Sequence, residues 1–223
     1  MKDYRDKELK CLLFLLVFLF LIWCTPLLEA IPDTSVKDNY KMFLTAIESA
    51  LISGVLSLCT FLCDCLISSK TKDKLVGLFF IPRPGKTIFS RIKDGRIKDD
   101  RFLLSDAKKK YYDIISNLPS KEQEKREYEN SRWYKIYLCY QDKGQVMQSQ
   151  KDSLICRDLF IETALFFLIY LLSVFVFYRS VIFSWRFVVA LIIIAIASNR
   201  ATHVKMNRFV NTVIAVDIAN ERV

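Results

Sequence analysis

The chain has 223 residues, 52% of them hydrophobic and 26% charged, with a formal net charge of +9. Its mean hydropathy is positive (+0.22) because residues 11 to 28, 42 to 69, 159 to 178 and 181 to 198 are almost continuous apolar runs, each close to the ~20 residues a helix needs to cross ~30 Å of hydrocarbon. A run such as Phe187 to Ala197 has no polar face to turn to water, which excludes an ordinary soluble domain.

The fold class this predicts is an all-α integral membrane protein with four transmembrane helices and a helical cytosolic insertion between the second and third spans. Residues 1–82 then form an N-terminal transmembrane hairpin, 83–157 a basic helical segment, 158–200 a C-terminal hairpin and 201–223 an amphipathic tail. Orientation follows from Lys and Arg, which cytoplasmic segments near membrane ends retain in excess. Segments 1–10, 70–157 and 199–223 hold twenty-nine of them, against four in 29–41 and 179–186. Both termini and residues 70–157 are therefore expected in the cytosol.

The first apolar run follows Lys2, Arg5, Lys7 and Lys10. It reads as an uncleaved signal anchor; the alternative is a secretory signal cleaved after Ala30. The second run carries small residues at four-residue spacing, Ala46, Ala50 and Gly54 on one line and Ser49, Ser53 and Ser57 on the next. Such a strip lets backbones approach in lipid, so this span is expected at the centre of the bundle or at the interface of a homo-oligomer, and its serines could instead line a pore. At its cytosolic end Cys59, Cys63, Asp64 and Cys65 lie within two turns. They read as small membrane-end thiols, with a metal, redox or acylation site as the sharper alternative.

Pro82, Pro84 and Gly85 end any helix leaving this span. Residues 101 to 116 place Leu104, Ala107, Tyr111 and Ile114 at helical spacing, and Asn117, Leu118 and Pro119 stop that helix. Ser120 with Gln123 reads as a capping box opening the next one, whose far half carries the stripe Trp133, Ile136, Tyr137 and Tyr140. Gly144 precedes a third stretch that enters the membrane through Arg157 and Asp158. Segment 70–157 is net +9. Lys70, Lys72, Lys74, Arg83, Lys86 and Arg91 crowd the second span, and anionic headgroups are the expected partner, each juxtamembrane base contributing about 1 kcal/mol. The aromatic stripe has core spacing, so nucleic acid is not the expected ligand.

Beyond the last span, Met206, Val210, Val213 and Ile214 alternate with Lys205, Asn207, Arg208 and Asn211 at helical spacing. That tail either lies in the interface or packs on the middle segment. Within the third span Glu162 is costly unless paired, hydrated or protonated; it either pairs with Arg200 or snorkels to the interface.

The chain has one histidine and five glycines, with no phosphate loop and no serine elbow. No catalytic residue and no cofactor are expected, and the chain leans toward a non-enzyme. Pro84, Gly85 and Phe89, then Arg96, Leu118 and Pro119, Trp133, Tyr134 and Tyr137, and finally Arg157 and Asp158 are the residues by which it resembles a family of small, uncharacterised bacterial multi-pass membrane proteins. The resemblance implies a bacterial inner-membrane location and carries no activity. The expected role is sensing, scaffolding or regulation at the membrane surface by the basic cytosolic segment, together with a partner protein or a second copy. The alternative is a pore-forming or membrane-perturbing effector, or an accessory, of a bacterial anti-phage defence system.

Overall fold

A computed structural model of the chain describes residues 2–25, 36–77 and 81–220. The end of the first apolar run, residues 26–28, and the Ala30 cleavage position lie outside the described residues. Helices run in the order α1 (Lys2–Cys24), α2 (Val36–Leu66), α3 (Ser69–Val76), a single 3-10 turn (Pro84–Lys86), α4 (Ile88–Lys93), α5 (Leu104–Lys110), α6 (Tyr112–Ser116), α7 (Glu122–Tyr140), α8 (Gly144–Val176) and α9 (Trp185–Asn220). No strand occurs among the described residues.

Among the described residues three helices are long and apolar enough to cross a membrane, within Asn39–Leu66, Gly144–Val176 and Trp185–Asn220, while Leu9–Cys24 is a shorter apolar helix. At 33 and 36 residues, α8 and α9 are each about 50 Å long, well beyond the ~30 Å of hydrocarbon. Their excess length is not idle. The chain divides into one unit of residues 1–72 and 155–200 and a second of 73–154 and 201–223, so each long helix is shared between the two, α8 changing unit at residue 155 and α9 at residue 201.

The first unit is held by an aromatic-rich core. Phe20 of α1 has no exposed surface and meets Phe166, Tyr170 and Phe187 edge-to-face at 6.5, 6.2 and 6.1 Å, with Tyr170 against Phe187 at 4.8 Å. Leu16, Cys24, Ile52 and Leu56 complete it from α1 and α2. The turn joining α8 to α9 ties back to α1, because Ile182 N–H donates to the Cys24 carbonyl at 2.7 Å, satisfying one of the acceptors a helix end leaves open.

The second unit has its own core. Ile88, Phe89 and Ile92 of α4, Ala107 and Tyr111 around α5, Trp133 of α7 and Val146 of α8 close on Val210, Val213, Ile214 and Ile218 of α9. The tail therefore packs on the middle segment. Its polar side is buried as well: Asn211, Thr212 and Asp217 are each largely covered, with Arg101 Nη1 donating to Thr212 Oγ1 at 2.7 Å and the Tyr111 hydroxyl donating to Asp217.

Three local expectations are corrected. Helix α7 starts at Glu122 with Lys121 at the N-cap and no side-chain cap, so Ser120 and Gln123 form no capping box. The second span ends at Leu66 rather than at 69, and Ser68 Oγ accepts the Thr71 N–H at 3.3 Å to start α3, as an N-cap serine does. A turn occupies residues 177–180 and residues 181–184 are not helical, so the fourth apolar run becomes helical only at Trp185.

Candidate functional site

In the first unit the small-residue strip of α2 separates into two lines. Ser49 and Ser53 are buried beside Ile52 and Leu56, with Thr60 one turn on, and Ser57 is half-buried. Their hydroxyls are spent on their own helix, Ser53 donating to the Ser49 carbonyl, Ser57 to that of Ser53 and Thr60 to that of Leu56, each at 2.8 Å. Ala46 is half-buried, and Ala50 and Gly54 are exposed. A side chain built on Gly54 would meet nothing within 4 Å.

Below this strip lies a charged knot. Lys72, buried rather than displayed, has Nζ 2.6 Å from Asp64 Oδ1 and 3.8 Å from Asp158 Oδ1, while Arg157 Nη2 stands 2.9 Å from the same Asp158 oxygen. Two cations facing two carboxylates keep the cluster close to neutral, which its burial requires. Asp64 is thus committed to Lys72. Cys59 and Cys65 are exposed and Cys63 is half-buried, and among the described residues no group of three His, Cys, Asp or Glu side chains is placed to hold a metal ion. Glu162 is buried one turn beyond Asp158, and Arg200 is exposed on α9.

The second unit contains the more elaborate site. Glu129 of α7 is 1% exposed, and its Oε2 accepts the backbone N–H groups of Phe89 and Ser90 at 2.8 and 3.1 Å, while the Ser90 hydroxyl donates to Oε1. One carboxylate thereby caps the start of α4 from another helix. One turn along α7, Trp133 lies on the preceding 3-10 turn so closely that a Cβ on Gly85 would come within 3.0 Å of its Cε3. Its ring lies nearly parallel to that of Tyr137, with centroids 5.7 Å apart and planes at 13°, and Phe209 meets both rings edge-to-face at 5.5 and 5.6 Å.

These rings form the floor of a groove enclosing about 360 Å³, with Tyr134 on one wall and Arg83, Asn130 and Gln150 around it. Arg83 pairs with Asp73. A second recess of about 490 Å³ is charged, with Arg101, Asp152 and the exposed Arg208 in its lining. There Lys205 binds Asp152 at 2.7 Å, and Arg101 forks onto Asp99 through Nε and Nη2 at 2.8 and 2.7 Å. The Arg101 hydrogen bonds hold the Asp99 carboxyl below the usual carboxylate range.

Of the six bases expected to face headgroups, Lys70 and Lys74 are exposed and Lys86 is half-exposed. Lys72 and Arg83 are paired as described, and the half-buried Arg91 donates to Asn207 Oδ1 at 2.6 Å, burial lowering its guanidinium pKa. Glu129, Asn130, Gln150 and Phe209 were not singled out by sequence. Glu129 alone carried a signal, since it precedes Trp133 by four positions and so shares the buried stripe. Compared with models of known protein families, with curated proteins and with solved structures, the chain finds no match.

Proposed function

We propose that this chain is a non-enzymatic, multi-pass inner-membrane protein whose basic helical unit senses, scaffolds or regulates at the cytosolic membrane surface. In this reading α1 joins the three longer helices as a fourth span, both termini and residues 70–157 are cytosolic, and anionic headgroups lie against Lys70, Lys74 and Lys86. The full burial of Phe20 among Phe166, Tyr170 and Phe187 supports an α1 that stays with the bundle, and the distribution of Lys and Arg supports the orientation.

One observation carries the reading. The middle segment and the α9 tail share a single hydrophobic core and continue without a break into α8 and α9, so what would otherwise be a long loop is a receptor-like unit with a groove of its own. The rival pore reading needs the α2 serines as a conduit, and their hydroxyls are already bonded to their own helix.

Cys139, exposed on α7, tests the arrangement. In a variant with the other six cysteines replaced by alanine, a membrane-impermeant maleimide should leave intact cells unlabelled and react after the inner membrane is permeabilised. Labelling from outside overturns the orientation and with it the cytosolic role.

A further inference from the structure

Helix α2 carries an exposed apolar seam with a heptad repeat. Leu44, Leu51 and Leu58 recur at one position of the repeat, and Tyr40, Ile47 and Phe61 at the other, where Gly54 completes the series. All of them therefore share one face of the helix. The six large side chains are each 42–65% exposed. They lie opposite the face that enters the bundle, on which Ser49, Ile52, Ser53 and Leu56 are buried.

This seam is longer than lipid tails alone can cover. Two contacts within the first unit fix the level of α2 against α8. Asp64 binds Lys72 beside Asp158, and Glu48 accepts a hydrogen bond from the Ser180 hydroxyl in the turn after α8. On α2 these levels are about 24 Å apart. The exposed charges Glu48, Arg179 and Arg186 mark the outer one as an edge of the hydrocarbon. Leu44 and Tyr40 stand about 6 and 12 Å past it, and Tyr40 is about 36 Å from Asp64, against ~30 Å of hydrocarbon. No residue from Asn39 to Glu48 is buried, and Lys41, Thr45 and Glu48 give these turns a polar side. An amphipathic helix end of this kind needs a protein surface for its apolar stripe.

We propose that the seam from Tyr40 to Phe61 pairs with the same seam of a second copy of this chain, and that the pairing continues past the bilayer on the non-cytosolic side. Two chains inserted in the same orientation present α2 in parallel, so like residues face each other across a twofold axis along the membrane normal. Gly54, midway, lets the backbones approach most closely. The area suffices: at about 200 Å² for a side chain of this size, six residues exposed to that degree offer roughly 700 Å², close to the ~800 Å² each partner gives to a standard interface. The pairing rests on reading α2 as a span, and it names the partner of that span.

Disulfide trapping in native membranes tests the register directly. In a full-length chain whose cysteines other than the buried Cys24 are replaced by alanine, single cysteines are placed at Tyr40, Leu44 and Ile47 on the seam and at Lys41 and Thr45 off it. Oxidation with copper phenanthroline should give a covalent dimer of the chain at the three seam positions and none at the other two. Trapping at no position, which leaves the seam to lipid or to a different protein, overturns the proposal, as does equal trapping at all five or trapping only off the seam. A second measurement uses the natural cysteines. Leu44→Glu places a charge where the helix has left the hydrocarbon, so it should leave helix content by circular dichroism unchanged and halve the mass in analytical ultracentrifugation. An unchanged mass also overturns the pairing. Failure here is separable from failure of the cytosolic reading, since Cys139 labelling does not depend on how α2 is covered.

Discussion

Burying a carboxylate costs several kcal/mol unless donors replace the water it loses, and Glu129 meets that condition with three. Two of them are the Phe89 and Ser90 amides at the start of α4, groups a helix of six residues cannot satisfy within itself. The carboxylate and the amides therefore solve each other's desolvation, and the bond spans forty residues of sequence. Glu129→Ala leaves both amides buried without an acceptor, and the expected loss is about 3 kcal/mol in thermal or denaturant unfolding of the detergent-solubilised protein. Glu129→Gln, which keeps one acceptor oxygen, should lose less. If both variants unfold with the parent, the cap is not a stabilising element and α4 is held by Ile88, Phe89 and Ile92 alone.

At the scale of elements, the tail of α9 shows how far an amphipathic pattern can be read. Val210, Val213, Ile214 and Ile218 recur at helical spacing and all enter the second core, yet the sequence could not say whether lipid or protein would cover them, since either solvent accepts an apolar stripe. The deciding residues were polar ones. Arg91, Arg101 and Lys110 reach Asn207, Thr212 and the Asp217 carbonyl from positions more than 100 residues earlier, a pairing no local pattern encodes. The same contrast runs through the rest of the fold. Apolar runs and the α7 stripe were legible because a span or a buried face constrains every turn. The start of α7 was misread because its exposed amides can be met by water and need no Ser120, while Glu122 and Glu124 favour the helix dipole there. The break after Leu66 carries no proline or glycine, and only Ser68 marks it. If the tail is part of the core, Ile214→Asp, at a position with no exposed surface, should unfold the second unit at a cost of about 3–5 kcal/mol. Proteolysis within residues 73–154 would accelerate, with the apolar spans still protected in detergent. Unchanged protection of that segment would show that the tail contributes little to holding it.

For the molecule as a whole, the question is what covers the spans. Only 28%, 33% and 22% of the apolar windows of α2, α8 and α9 are buried within one chain, so most of their surface must be met by lipid or by a second copy. Lipid accepts any apolar side chain, but a flat strip of small residues gains more from another helix, because close backbone approach recovers van der Waals contact that lipid tails supply less well. The two lines of α2 make opposite predictions on this point. Ser53 is buried within the chain, and Ser53→Leu should overpack the single-chain bundle and destabilise it by about 1–3 kcal/mol. Gly54 faces open space, so Gly54→Leu should leave the fold of the single chain intact while blocking approach along Ala46, Ala50 and Gly54. Analytical ultracentrifugation in detergent, with thermal unfolding of the same samples, reads both effects. A homo-oligomer built on this strip loses mass in Gly54→Leu at unchanged thermal stability; an assembly state that does not move in that variant takes this face out of any interface and leaves it to lipid.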